Sequence, residues 1–319
     1  METTSMLSAS TNTPEPSLTA TAATSINSIS DPVNPHPFSF TIDEPNFCQQ
    51  DHMFMLAVIH TAPANYKKRE LIRETWGNKF WYPMLGLKVL FVLGMPENDT
   101  QQDAISLESD LYHDIIQEDF VDSYRNLTYK AIMWLRWSSE HCSSVPFILK
   151  TDDDMFVNVF SLVQHLRSLR AYERVTNSTI LGIVYTEEKV MREPDYKWAV
   201  TVEEFPNETY PTHCPGLAYI ITGDLSSELY QRSLQVPFFW IDDIYLTGML
   251  PLELEVTYFS LLEFYTLQAS DVGEKLRDNS FFFALVGEIG LRYQLWQDLL
   301  QFRSLDRVQP RPDLKEKYS

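Results

Sequence analysis

From Met53 onward the sequence alternates short apolar runs with segments of helical periodicity, and this alternation limits the possible folds more than any other feature. MFMLAVIHT (53–61), KVLFVLG (88–94), DIIQEDF (114–120), PFILK (146–150) and ILGIVY (180–185) read as strands. Between them lie KKRELIRETWG (67–77), a helix over 101–113, YRNLTYKAIMWLRWSSEHC (124–142) and a helix near 158–170. Strands joined through helices pair in parallel and leave helices on the sheet faces, so the pattern predicts an α/β domain with a mostly parallel central sheet flanked by helices. LAYIIT (217–222) adds a strand, and DLSSELYQRS (224–233) and DDIYLTGML (242–250) add helices. Beyond residue 251 no pattern is clear.

Residues 1–37 are Ser, Thr, Ala and Pro with few large apolar side chains, too little to offset the entropy of ordering. The expected organisation is a disordered, stem-like segment over 1–47 and one domain over 48–319. A net charge of −19 in 319 residues has the wrong sign for neutralising nucleic-acid phosphates, so no nucleic-acid partner is expected. An anionic ligand would need local Lys or Arg, or a divalent cation. The cysteines, Cys48, Cys142 and Cys214, have no zinc spacing. They fit one disulfide and a free thiol in an oxidising compartment, or three reduced thiols in the cytosol. Four N-x-S/T sequons, at Asn98, Asn126, Asn177 and Asn207, favour a lumen. No stretch approaches the roughly 18 to 20 apolar residues of a membrane span, and no signal peptide is evident.

Asp152-Asp153-Asp154 follows the strand that ends at Lys150. In open α/β sheets, ligands collect beyond the carboxyl ends of the strands. Carboxylates there are hard ligands for Mg²⁺ or Mn²⁺, although an isolated acidic triplet also serves as a solvated turn that caps the next helix. Arg69 and Arg73 share one helical face, where they could meet a diphosphate or pair with Glu70 and Glu74. Lys130 reads as a solvated surface lysine or a further anion contact. Trp198 and Tyr219 are large aromatics able to stack on sugar faces, and Trp76 reads as core. The seven histidines show no ligand spacing.

Five ordered blocks between about residues 53 and 250 resemble the β-1,3-galactosyltransferase and β-1,3-N-acetylglucosaminyltransferase family, glycosyltransferase family 31. They are Arg69-Glu-Leu-Ile-Arg73-Glu-Thr75-Trp76; Asp119-Phe-Val-Asp122-Ser-Tyr124-Arg-Asn126-Leu127-Thr128-Tyr-Lys130; Lys150-Thr-Asp152-Asp153-Asp154-Met-Phe156-Val-Asn158; Lys197-Trp198 with Tyr210-Pro211 and Gly216-Leu-Ala-Tyr219; and Ile241-Asp242-Asp243-Ile244-Tyr245. The resemblance implies a GT-A-like fold, a UDP-sugar donor (UDP-galactose or UDP-N-acetylglucosamine), Mn²⁺ or Mg²⁺, and inverting transfer in β-1,3 linkage to a glycan on a glycoprotein or glycolipid. It places the metal on Asp154 and Asp152, and the donor near Arg69, Arg73, Lys130, Asp152 and Asp153. The catalytic base falls on Asp243, with Asp242 as second choice. The family is typically anchored in the Golgi membrane, facing the lumen, whereas no anchor is visible in this chain. The glycine-rich stretch usual before the last helix is reduced to Pro215-Gly216-Leu217-Ala218. The alternatives are a catalytically inactive glycan-binding or scaffolding relative and, less well supported, a Mg²⁺ phosphotransferase.

Overall fold

The computed structural model describes residues 32–49, 53–278 and 280–306. The expectation of disorder before residue 32 lies outside them. From there the chain already belongs to the packed unit, ahead of the boundary expected at 48. Asn34 Nδ2 donates to the Ser233 carbonyl and to the Tyr245 hydroxyl, both at 3.1 Å. A short strand, β1 (Phe40–Ile42), then joins the sheet.

In chain order there follow β2 (Met55–His60), α1 (Tyr66–Glu74), α2 (Tyr82–Leu85), β3 (Leu87–Met95), α3 (Asp99–Tyr112), β4 (Ile115–Val121), α4 (Leu127–His141), β5 (Phe147–Asp152), β6 (Met155–Val157), α5 (Val159–Ala171) and β7 (Thr179–Gly182). The second half supplies β8 (Ala218–Thr222), α6 (Leu225–Ser233), the single turn α7 (Asp242–Ile244), β9 (Thr257–Ser260), β10 (Tyr265–Thr266), α8 (Ala269–Asp278), β11 (Phe283–Leu285) and α9 (Ile289–Asp306). Eight strands form one sheet in the order β1-β4-β3-β2-β5-β8-β7-β9. The run β4-β3-β2-β5 is parallel, as the strand-helix alternation predicts. β8 enters antiparallel to both β5 and β7, which makes the sheet mixed.

The apolar runs work as strands because both sheet faces are covered. All six residues of β2 are buried. Successive strand side chains point to opposite faces, so Met55, Ala57 and Ile59 join one core while Leu56 and Val58 join the other. The first core contains Ile72 of α1, Phe160 and Leu166 of α5, and Trp296 of α9; the second contains Trp134 of α4 and Leu229 of α6. The result is a three-layer α/β/α domain in which the loops after β2 and β5 meet the segment that leads into β8 at one edge of the sheet.

The stretch beyond 251, unreadable from sequence, completes this architecture. β9 extends the sheet, and β11 pairs with both β10 and β6 in a second sheet of three strands. Trp296 of α9 stacks on Phe160 at 5.6 Å between ring centroids. Of the two cysteine arrangements, the fold adopts the disulfide: Cys48 joins Cys142 across 94 residues, and Cys214 is a buried free thiol. A loop of that length contributes about 4 kcal/mol by restricting the unfolded chain. Among the described residues no helix is long and apolar enough to cross a membrane.

Candidate functional site

β2 and β5 run side by side in parallel, and their register sets His60 against Asp152 at the carboxyl ends. The acidic triplet therefore lies beyond the strand ends, where an open sheet leaves a crevice. Its three carboxylates have different surroundings. Asp153 is buried and held by three donors: Thr61 Oγ1 and Asn65 Nδ2 donate to Oδ2, each at 2.7 Å, and Lys68 Nζ donates to Oδ1 at 2.7 Å. It ties the acidic turn to the loop before α1 and to the start of that helix. Asp154 is half-buried, and among the described residues its carboxylate accepts no hydrogen bond. Asp152 keeps 39% side-chain exposure and receives Lys150 Nζ on Oδ1 at 2.9 Å.

Lys150 is the hub of the site. It is buried on β5, donates to Asp152 and to the Gly216 carbonyl, and lies 3.8 Å from Asp242 Oδ2. Gly216 contributes both ends of its peptide: its carbonyl accepts from Lys150, and its N–H donates to Asp243 Oδ2 at 2.7 Å. A Cβ there would stand 3.4 Å from both Lys150 Nζ and Asp243 Oδ2, at the edge of ordinary van der Waals contact. Asp243 Oδ1 accepts the Ile244 N–H at 2.9 Å, which fixes the carboxylate at the start of α7. Asp242, 7% exposed, has no hydrogen bond to Oδ2.

The electrostatics follow from gathering three carboxylates around one buried lysine, with Lys150 and Asp242 buried and Asp152 and Asp243 partly so. Burial alone would lower the Lys150 ammonium, but Asp152, Asp242 and Asp243 outweigh it and hold it charged above its ordinary range. Asp152 is pushed up to about 6, by burial first and then by Asp242 and Asp154, against the pull of Lys150. Burial likewise raises Asp242 and Asp243 above the usual carboxylate range, with Lys150 opposing. Carboxylates raised in this way are better proton acceptors than exposed ones.

His60, read from sequence as structural, belongs to this cluster. Trp134 Nε1 donates to its Nε2 at 3.1 Å, which leaves the proton on Nδ1, 3.6 Å from Asp242 Oδ2. Burial, then Lys150 and Lys130, lower its pKa far enough to keep it neutral. The sequence does carry a trace of this, for His60 is the polar last residue of an otherwise apolar strand. Lys150 lies two residues before the end of β5, opposite Val58, inside a matched block but without an assigned role.

Three other sequence candidates are engaged elsewhere. Arg69 donates through Nε and Nη2 to Glu108 at 2.8 and 2.6 Å, and through Nη1 to the Ala62 carbonyl at 2.8 Å. Arg73 pairs with Glu108 and Asp114 at 2.6 and 2.8 Å. Their partners are thus on α3 and ahead of β4, not Glu70 or Glu74, and these guanidinium groups are occupied in a structural clamp. Lys130 is buried, not solvated: it donates to the Thr61 carbonyl at 2.6 Å and pairs with Asp122 at 2.9 Å. It pins α4 to the loop after β2. Trp76 is core, as expected.

A divalent ion suits the two half-exposed members of the triplet, since Asp154 is unbonded and Asp152 is engaged through one oxygen. Among the described residues, no three His, Cys, Asp or Glu side chains are grouped to hold an ion. An ion on Asp152 and Asp154 would complete its shell with water and ligand phosphates, the habit of Mg²⁺ sites. Asp152 and the pair Asp242–Asp243 thus meet around the buried Lys150 ammonium beyond the carboxyl ends of β2 and β5.

The protein is thus an α/β domain with a buried lysine held among carboxylates at the carboxyl ends of its parallel strands. The chain belongs to the galactosyltransferase family, whose model matches residues 67–261. It is 35% identical to beta-1,3-galactosyltransferase 1 of mouse and of human over 214 residues, 67% of this chain and 65% of theirs. It is 34% identical to human beta-1,3-galactosyltransferase 2 over 214 residues, 66% of this chain and 50% of that one. The match thus spans under two thirds of these relatives' length. Among solved structures, a glycosyltransferase involved in the glycosylation of the major capsid of PBCV-1 superimposes with TM-score 0.38 at 9% identity, over 76% of this chain and 98% of that one. The galactosyltransferase LgtC, in complex with donor and acceptor sugar analogs, gives 0.35 at 10%, over 82% and 99%. Both likenesses are too distant to carry an argument.

Proposed function

We propose that this chain is an inverting glycosyltransferase that moves a hexose, galactose before N-acetylglucosamine, from its UDP donor to a hydroxyl of a glycan acceptor in β-1,3 linkage. The observation that carries this reading is the convergence on Lys150 of two acidic segments far apart in sequence, Asp152 and the pair Asp242–Asp243. Membership of the galactosyltransferase family supplies the reaction class.

Each residue then has a defined task. Asp243 is only partly buried, is held by two backbone N–H groups and is raised by burial, so it takes the proton of the attacking acceptor hydroxyl. Asp242 is more buried and turns toward His60 and Lys150, where its charge supports the ammonium. Lys150 keeps the acidic turn and the base in fixed relation. Asp154 and Asp152 are the residues that would hold Mn²⁺ or Mg²⁺, which supplies Lewis-acid stabilisation of the departing diphosphate. The Cys48–Cys142 disulfide and exposed sequons at Asn98, Asn177 and Asn207 support a luminal, Golgi setting. Acceptors on glycoproteins or glycolipids fit that setting.

The test is UDP release from UDP-galactose and UDP-N-acetylglucosamine with a glycan acceptor, with and without Mn²⁺, repeated on Asp154→Ala. Metal-dependent turnover that the substitution abolishes is the expected result. Undiminished turnover in Asp154→Ala would remove the metal assignment.

A further inference from the structure

Beside the acidic pair lies a group of aromatic rings that the chemistry above does not use. Trp240 stands two residues before Asp242 and packs 6.2 Å, centroid to centroid, from Tyr124. The Tyr124 hydroxyl accepts from Trp198 Nε1 at 2.6 Å. Three separate segments meet here: the turn after β4, the long connection between β7 and β8, and the approach to α7. The arrangement is built and not incidental. Arg125 lies 3.8 Å over the Trp240 ring and is tied to Glu204 at 3.2 Å, and Lys197 Nζ sits 4.1 Å over the Tyr124 ring. Yet Trp198 stays 53% exposed and Tyr124 41%. Rings fixed in place while open to water add little to the core, and such exposed apolar surface marks a binding face.

We propose that Trp198 and Tyr124 form the platform on which the acceptor glycan's terminal pyranose lies, a role that rests on the transferase reading above. A pyranose has an apolar C–H face and a rim of hydroxyls. Aromatic faces match the first, and the Lys197 ammonium, which has no carboxylate partner among the described residues, matches the second. The occupant is the acceptor and not the donor because the base works on the acceptor hydroxyl, and the rings run from the base outward through Trp240. Electrostatics agree with this proximity: burial first, and then the charges of Asp242, Asp243 and Asp152, raise the Tyr124 phenol.

The experiment measures transfer from UDP-galactose to p-nitrophenyl β-N-acetylglucosaminide and p-nitrophenyl β-galactoside by wild type, Trp198→Ala and Trp198→Phe. In parallel, saturation-transfer NMR is run with the methyl β-glycosides of N-acetylglucosamine and galactose. The platform requires Trp198→Ala to raise the acceptor KM about tenfold, equivalent to one stacked ring, with the donor KM changed less than about twofold, and Trp198→Phe to recover most of the loss. An unchanged acceptor KM, or a donor KM rising in step, overturns it while leaving the transferase reading intact. If wild type transfers no sugar but a methyl glycoside binds and is lost in Trp198→Ala, the platform stands and the transferase reading fails. Methyl glycoside binding equal in wild type and Trp198→Ala, or absent from both, with no transfer, refutes the platform.

Discussion

Two clusters of buried charge lie within the same α/β frame and are built on opposite principles. In the clamp of Arg69, Arg73, Glu108 and Asp114, the guanidinium groups are matched by bidentate or carbonyl contacts. Burial would raise Glu108, but Arg69 and Arg73 overcome it and hold the carboxyl below its ordinary range. In the crevice of Lys150, Asp152, Asp242 and Asp243, one lysine faces three carboxylates. Burial wins there, all three are raised, and Asp242 Oδ2 has no hydrogen bond. A satisfied cluster fixes α1 against α3 and the start of β4. An unsatisfied one retains capacity for proton transfer and for a ligand.

The comparison can be broken most severely at the clamp. Glu108→Ala leaves two buried guanidinium groups short of a partner and should destabilise the fold by about 3–5 kcal/mol, read as a lower denaturant midpoint with unchanged slope. Lys150→Met should act differently, because the carboxylates it releases can protonate in place. A smaller stability loss, about 1–3 kcal/mol, accompanied by a much larger loss of turnover, is the expected outcome. Equal stability losses in the two variants would mean the clusters do not differ in kind.

Acidification sharpens the contrast. A carboxyl raised in the fold, such as Asp243, is protonated at higher pH than in the unfolded chain, so its base function fails while pH is still above the ordinary carboxylate value of about 4. Its protonation stabilises the folded state. Glu108 is depressed, so its stabilisation is complete above the unfolded pKa and is lost as pH falls through the lower folded value. On titration from neutrality, turnover should therefore fall first and thermal stability only at lower pH. Coincident loss in a pH profile of kcat/KM and melting temperature would contradict this. The smallest effect is expected at the exposed Arg125–Glu204 pair, where Glu204→Gln should change stability by less than about 1 kcal/mol.

Local patterns made the frame legible. Apolar runs such as Met55–Ile59 read directly as strands covered on both faces, and the acidic triplet sits where those strands end. The pair Asp242–Asp243 was legible through family resemblance, since two Asp at a helix start otherwise read as a cap. Other features depend on contacts that local spacing does not encode. Arg69 and Arg73 share a helical face, yet their partners come from α3 and the start of β4. Lys130 read as solvated because a lone lysine on a helix usually faces water, whereas Asp122 and the Thr61 carbonyl hold it inside. Asp153 is indistinguishable in sequence from its neighbours, and only the tertiary fold brings Thr61, Asn65 and Lys68 to it. The C-terminal layer had no motif because β10 and β11 are two and three residues long and are stabilised by pairing, β10 with β11 and β11 with β6.

The central claim is that the crevice at Lys150 transfers a sugar with Asp243 as base. The most direct measurement is UDP-galactose turnover onto a glycan acceptor by wild type and Asp243→Asn, with thermal unfolding of both. The account requires turnover to fall by about 10²–10⁴-fold while unfolding stays cooperative and the melting temperature falls only modestly, since the Asn oxygen keeps one of the two backbone N–H bonds that the carboxylate accepts and its amide faces the other. Turnover retained in Asp243→Asn, with the fold intact, would contradict it.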